Sequence, residues 1–152
     1  MERISEHCLR HRSYNLKTVL VLDAQGGGLG KMIISALREK SLGIRIIAVG
    51  TNAQATATMI KAGADEGATG ENSVVVTAKS ADVIVGPLGI VVADSMLGEI
   101  TPKMAKAVGK SDAKRVLIPM NQCSNIVVGL EKLGVKELVS QAVVAIEKIL
   151  TE

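Results

Sequence analysis

Short apolar runs alternate with segments of helical periodicity along most of the chain. The apolar runs predict strands at residues 18–23, 44–50, 66–69, 82–86 and 115–119. The periodic segments predict helices near residues 30–40, 53–63, 72–80, 90–109 and 135–150. Strands as continuously apolar as residues 19–22 are typical of parallel sheets that helices cover on both faces. The pattern therefore predicts an α/β fold with a doubly wound, mostly parallel sheet.

The predicted sheet has five to six strands in a Rossmann-like arrangement, within a single domain over residues 17–152. Its sixth member is an edge strand at residues 125–129, shortly after the fifth strand. Residues 1–16 show no strand pattern and are predicted to form a tail or a docked helix. His7 and His11 would share a helical face beside Cys8, but a fixed metal site needs three or four ligands, so no metal is predicted.

Composition narrows the range of partners. The net charge of +3 is spread over 152 residues, and Tyr14 is the only aromatic residue. Nucleic-acid-binding modules usually show clustered basic residues and stacking aromatics, so no nucleic-acid partner is expected. Two cysteines are too few for a disulfide framework, and no signal peptide or membrane span is recognisable, so a cytoplasmic protein is predicted. A domain this small and apolar is also predicted to form a homodimer.

A glycine-rich loop with Gly26, Gly27, Gly28 and Gly30 joins the first predicted strand to the first predicted helix. Glycine lets the backbone approach a ligand closely, and the amides and dipole at a helix N-terminus attract an anion. A tight turn without a ligand would need only one glycine. We therefore expect residues 25–31, from Gln25 through Leu29 to Lys31, to cradle the phosphate of a small ligand.

Known phosphate-loop patterns match this segment only in part. An ordinary Walker A motif requires glycine at the position of Gln25 and a hydroxyl side chain at that of Met32. The best match resembles the T-G-x-x-x-G-x-G fingerprint of short-chain dehydrogenases, with residues 28–30 at its last three positions. The catalytic Tyr-x-x-x-Lys pair of that family is absent, since Thr18 stands four residues after Tyr14. Hydride transfer of that kind is not expected.

Ligands of doubly wound sheets bind beyond the carboxyl ends of the strands. The cofactor-binding residues predicted at those ends, besides the glycine loop, are Gly50, Thr51 and Asn52 after the second strand and Gly86, Pro87 and Gly89 after the fourth. No carboxylate follows the second strand to hold the ribose hydroxyls of NAD, so NADP is slightly favoured over NAD as the cofactor. Thr51 or Asn52 acting only as a helix N-cap explains the same residues equally well.

The sequence also offers weak candidates for catalysis, namely Asp23, Glu71, Asp94 and Cys123. Asp23 would repel a phosphate unless a cation or the loop amides neutralised it, and acceptance of loop amide hydrogen bonds is the favoured interpretation. Glu71 also fits the start of a helix, and no histidine of the predicted domain is available to activate Cys123. Glu99 is a further candidate acid or base, but it also stands just before a predicted helix whose N-cap is Thr101.

Several uncommon peptides occur in a fixed order along the chain. They are Gln-Gly-Gly-Gly-Leu-Gly-Lys at 25–31, Gly-Thr-Asn at 50–52, the glycine-rich stretch at 62–72, Gly-Pro-Leu-Gly at 86–89, Ser-Met-Leu-Gly-Glu-Ile-Thr-Pro at 95–102 and Leu-Ile-Pro at 117–119. Together they resemble a family of small bacterial proteins catalogued as a domain of unknown function, over roughly residues 17–150. The resemblance implies no activity and no catalytic residue.

Three functions stay open from the sequence. The favoured one is a nucleotide- or dinucleotide-binding protein whose glycine loop holds the phosphates while Thr51 and Asn52 contact the ribose end. The second is an enzyme that acts on a small metabolite by carboxylate acid/base chemistry. The third is a non-catalytic ligand-sensing or assembly subunit.

Overall fold

A computed structural model describes residues 16–120 and 124–152. The strands are β1 (Lys17–Asp23), β2 (Ile44–Gly50), β3 (Glu66–Thr69), β4 (Val83–Pro87) and β5 (Lys114–Ile118). The α-helices are α1 (Gly28–Glu39), α2 (Ala53–Lys61), α3 (Glu71–Thr77), α4 (Pro102–Lys110) and α5 (Val135–Thr151), and a 3₁₀ helix spans Leu88–Val91. The tail predicted at residues 1–16 lies outside the described residues, except for Leu16.

The five strands form one sheet in the order β3-β2-β1-β4-β5, and every neighbouring pair is parallel. This confirms a doubly wound, Rossmann-like sheet. The chain runs outward from β1 in both directions, so the strand order reverses between β1 and β4. At such a switch point the loops after the two strands diverge to opposite faces and leave a crevice.

Alternate residues of β1 serve two cores, as the two-residue period of a strand requires. Val19 and Val21 face the core that contains α1 and α5, whereas Leu20 and Leu22 face the core that contains α3 and α4. All four side chains are fully buried, so both faces of the sheet are covered by helices. Within the described ranges, none of the helices combines the length and apolar character needed to cross a bilayer.

The single helix predicted at residues 90–109 is wrong. The 3₁₀ helix ends at Val91, an irregular turn follows, and α4 begins only at Pro102. Asp94, Met96 and Leu97 have φ values of 62°, 55° and 57°, which a right-handed helix cannot contain. The predicted start of a new helix is confirmed, because the Thr101 hydroxyl accepts a hydrogen bond from the Met104 amide at 3.2 Å.

The edge strand predicted at residues 125–129 is also wrong, so the described sheet has five strands. This segment has no strand pairing, and Ile126 and Val128 are 94% and 93% exposed. An apolar run becomes a strand only where a neighbouring strand accepts and donates its backbone hydrogen bonds, and Gly129 turns the chain with φ 86° instead.

Candidate functional site

A cleft of about 160 Å³ opens at the switch point of the sheet. Its lining residues are Asp23, Ala24, Gln25, Gly26, Gly27, Gly28, Leu29, Pro87, Met96 and Met120. They come from the end of β1 and the loop that follows it, the start of α1, the end of β4, the turn before α4 and the chain beyond β5. Larger grooves of about 500 Å³ and about 430 Å³ lie between α3 and α4 and between α1 and α5. Those grooves lie on helix faces, whereas the cleft is at the ligand position that the topology dictates.

Two glycines of the loop are required by packing. Gly27 has φ 74°, and a Cβ there would lie 2.8 Å from the backbone of Ala55 in α2. A Cβ on Gly30 would collide with the Met59 sulfur. These glycines let the loop and α1 approach α2 closely, so the fold alone explains them.

The other two glycines have no such structural reason. Neither Gly26 nor Gly28 has a positive φ, and a Cβ on either would meet nothing within 4 Å. Both line the cleft. The amides of Gly26 and Gly28 also donate no hydrogen bond to the described chain, whereas the Gly27 amide donates to the Ala24 carbonyl at 3.0 Å. At these two positions the bare backbone faces open space in the cleft.

Asp23 closes the base of the loop. Its carboxylate accepts hydrogen bonds from the Ala24 amide at 2.8 Å and from the Gly30 amide at 2.7 Å. The Asp23 side chain therefore accepts hydrogen bonds from the loop amides, which is the role that the sequence favours for it. Burial raises the pKa of the Asp23 carboxyl above its ordinary value; the amides of Gly30, Ala24 and Leu29 lower it, and the negative charge of Glu99 raises it further.

Glu99 brings a second carboxylate to the loop. Its Oε2 accepts hydrogen bonds from the Gln25 amide at 2.6 Å and from the Thr51 hydroxyl at 2.8 Å. Gln25 has φ 52°, which non-glycine residues rarely adopt, and the bond to Glu99 helps to hold it there. The carboxylate thus connects the loop after β1 with the end of β2.

The remaining predicted cofactor residues have mainly structural contacts. Asn52 is the N-cap of α2, since its side chain accepts from the Ala55 amide at 2.9 Å and donates to the Gln25 carbonyl at 2.8 Å. A Cβ on Gly50 would lie 2.6 Å from the Thr56 nitrogen. Three further predicted residues lie outside the cleft lining. Lys31 lines the groove between α1 and α5. Gly86 lies against the Leu22 carbonyl, and Gly89 is buried in the 3₁₀ helix.

The structure separates the predicted catalytic residues. Asp23 is in the cleft, but Glu71 begins α3, where its carboxylate lies 3.7 Å from the Lys103 ammonium. Asp94 is exposed in the turn after the 3₁₀ helix and is not among the residues that line the cleft. Cys123 lies outside the described residues.

Met96 and Met120 line the cleft and were missed from the sequence. Each is partly buried, and with Leu29 they give the cleft an apolar side. Composition was the available signal, because a chain without Phe or Trp and with its only aromatic in the tail must use aliphatic or thioether side chains against a flat ligand.

Several solved structures are partly similar to this chain. AibC is 18% identical, with 92% of this chain and 41% of its own covered and a TM-score of 0.47. Prephenate dehydrogenase from A. aeolicus, in complex with hydroxyphenyl propionate and NAD⁺, is 14% identical, with coverages of 92% and 58% and a TM-score of 0.46. A dodecameric FMN-dependent UbiX-like decarboxylase from Escherichia coli O157:H7 is 18% identical, with coverages of 88% and 76% and a TM-score of 0.43. The chain therefore spans less than two thirds of the first two proteins.

No curated protein matches the sequence significantly. The family model of a domain of unknown function, DUF3842, matches residues 18–151. That match runs from the second residue of β1 to the last residue of α5, and it includes the glycine loop and Glu99. The chain therefore belongs to the family described as domain of unknown function DUF3842.

Proposed function

We propose that the cleft binds the phosphates of a nucleotide, and that a dinucleotide such as NAD or NADP is the ligand that fits best. The observation that supports this most directly is the pair Gly26 and Gly28. Their amides have no partner in the described chain, and neither packing nor φ requires glycine at either position. Bare amides at the start of a helix are suited to phosphate oxygens, which the helix dipole also attracts.

The charge of the lining favours a pyrophosphate diester over a triphosphate. Among the described residues that line the cleft there is no lysine or arginine, and Asp23 contributes a carboxyl group. Backbone amides alone would then neutralise the ligand. The two negative charges of a dinucleotide fit that environment better than the four charges of ATP, which would need added cations.

The size of the cleft predicts how the rest of the ligand lies. Pockets that enclose a whole cofactor measure roughly 300–1,000 Å³, and this cleft holds about 160 Å³. It would enclose the pyrophosphate, while the base would lie against Met96 and Met120 at the surface.

The homodimer expected from composition stays a prediction, and a second subunit across the open side of the cleft would complete such a site. Native mass spectrometry would measure that state against the chain mass of 15.9 kDa.

Thermal shift measurements with NAD, NADP, ATP and CoA test the proposal. A ligand that binds only the folded state, at a concentration of about 100 times its Kd, should raise the Tm by about 5–10 °C. Gly26→Ala and Gly28→Ala should reduce that shift, because each methyl group occupies space beside an amide that the phosphate needs. Gly109→Ala is the matched control: Gly109 lies in α4, and a Cβ there also meets nothing within 4 Å.

Two results would count against nucleotide binding at this loop. One is the absence of a shift with any of the four ligands at millimolar concentration. The other is a ligand-induced Tm shift that is as large in Gly26→Ala and Gly28→Ala as in Gly109→Ala. Binding would then occur at another place on the protein.

A second candidate function follows from Asp23. A buried carboxyl whose pKa is raised, at the edge of a small cleft, is a usual feature of a general acid. An enzyme that acts on a small anionic metabolite would lose turnover in Asp23→Asn while binding persisted. Unchanged turnover in that variant would eliminate this candidate.

A further inference from the structure

The turn that carries Glu99 holds its carboxylate in a defined place. Asp94, Met96 and Leu97 adopt left-handed φ values, and the Asp94 amide donates to the Ile100 carbonyl at 2.8 Å across the turn. Ile100, directly after Glu99, is fully buried and anchors the segment in the core. Such a tight, anchored turn leaves the neighbouring side chain few alternative positions. The carboxylate is therefore a preorganised part of the site.

The Glu99 carboxylate reaches the end of β2 through its hydrogen bond with Thr51. In Rossmann-like sheets an acidic side chain at the end of the second strand accepts hydrogen bonds from the ribose hydroxyls of NAD. The residues that directly follow β2 include no acidic side chain, and on that ground the sequence favours NADP. In the folded protein, however, Glu99 contacts Thr51, although the two residues are 48 positions apart in the sequence. Only Oε2 of Glu99 is engaged, so Oε1 has no partner among the described residues.

We propose that Glu99 selects a ribose with free hydroxyl groups, so that the site accepts NAD and discriminates against NADP. This proposal rests on nucleotide binding at the glycine loop. Oε1 accepts a hydrogen bond from a ribose hydroxyl in NAD. A 2′-phosphate would instead bring a second anion to the carboxylate, and the described part of the adjoining cleft lining offers no cationic side chain to separate them.

Calorimetric titration of the full chain with NAD and NADP tests the role of Glu99. We expect the wild-type protein to bind NAD at least about tenfold more tightly than NADP, because like charges at close range are strongly unfavourable. Glu99→Gln keeps an oxygen that accepts from Gln25 and Thr51 but loses the charge. It should bind NADP more tightly than the wild type does and bring the ratio of the two affinities towards one.

Glu147→Gln is the matched control. Glu147 is a partly buried carboxylate on α5 that lies 3.8 Å from the Lys40 ammonium and has no contact with the glycine loop. The same chemical change there should leave the ratio of NAD to NADP affinity as it is in the wild type. Glu99→Asp, which keeps the charge, should retain the preference for NAD.

The outcomes distinguish this inference from the function on which it rests. Equal affinity of the wild type for NAD and NADP, or a ratio that Glu99→Gln does not change, would refute the role of Glu99 while leaving nucleotide binding intact. If no nucleotide binds, both fail together. Should Glu99→Gln not fold, Glu99→Ala, which also removes the charge, gives the same comparison of NAD and NADP affinities.

Discussion

At the scale of single residues, the four loop glycines are alike in the sequence and different in the structure. Gly27 and Gly30 are glycine because α2 leaves no room for a side chain. Gly26 and Gly28 have room for one and yet carry none. The glycine run predicted a phosphate cradle, but which amides are open to a ligand depends on contacts with α2, which follow from tertiary packing.

Alanine substitution should separate the two pairs by stability. Gly27→Ala should lower the free energy of unfolding by about 2 kcal/mol or more, since the residue must keep a left-handed φ and would press on Ala55. Gly26→Ala and Gly28→Ala should raise it by about 0.4–1 kcal/mol, because the added methyl meets nothing and restricts the unfolded chain. Urea unfolding measures both. A large loss at Gly28 would show that this glycine too is structural.

Asp23 should make stability depend on pH in a particular direction. Because its pKa is raised in the folded state above the ordinary value of 3.8, the folded protein keeps this proton to higher pH than the unfolded chain does. The contribution of Asp23 to the free energy of unfolding is therefore greatest below that ordinary value and falls as pH rises through the folded-state pKa.

The measurement is urea unfolding of the wild type and Asp23→Asn across acidic and neutral pH, because the difference between the two cancels other titrating groups. The stability of the wild type relative to Asp23→Asn should fall with rising pH and then level off. A relative stability that increases with pH would mean that the loop amides outweigh burial and that the pKa is lowered.

At the scale of elements, Asn52 shows how a polar residue at a strand end is explained by helix capping. Asn52→Ala should cost about 1 kcal/mol, because the Ala55 amide loses its acceptor at the start of α2. Asn52→Asp keeps that acceptor and loses the donations to the Gln25 carbonyl at 2.8 Å and to the Thr51 hydroxyl at 3.5 Å, so its loss should be smaller. Urea midpoints compare the two variants. Equal losses would indicate that the Gln25 contact, rather than the cap, matters.

Most elements could be predicted from the sequence, because their burial follows a local period. β1 and β2 each contain an unbroken apolar run, residues 19–22 and 46–49, and α1 repeats its buried residues at helical spacing. Residues 90–100 mislead the same method: Ile90 and Ile100 are both buried, but a left-handed turn lies between them. A periodic pattern shows which residues are buried and does not show the backbone path that connects them.

At the scale of the whole molecule, the site is a consequence of strand order. The order β3-β2-β1-β4-β5 places the glycine loop beside the end of β4 and leaves the cleft between them. The sequence predicted parallel strands without their order. Glu99 lies 74 positions from Gln25, and no local pattern connects residues that far apart. The phosphate loop was therefore predictable, whereas the carboxylate that completes it was not.

The central claim is that the Gly26 and Gly28 amides bind ligand phosphates, and an NMR titration tests it most directly. In ¹⁵N–¹H spectra of the labelled 15.9 kDa chain, addition of NAD should shift the Gly26 and Gly28 amide signals most. The Gly27 amide, which donates within the loop, should shift less, and the Gly109 signal should stay in place. Unchanged Gly26 and Gly28 signals at saturating NAD, or shifts confined to other surfaces, would contradict the account.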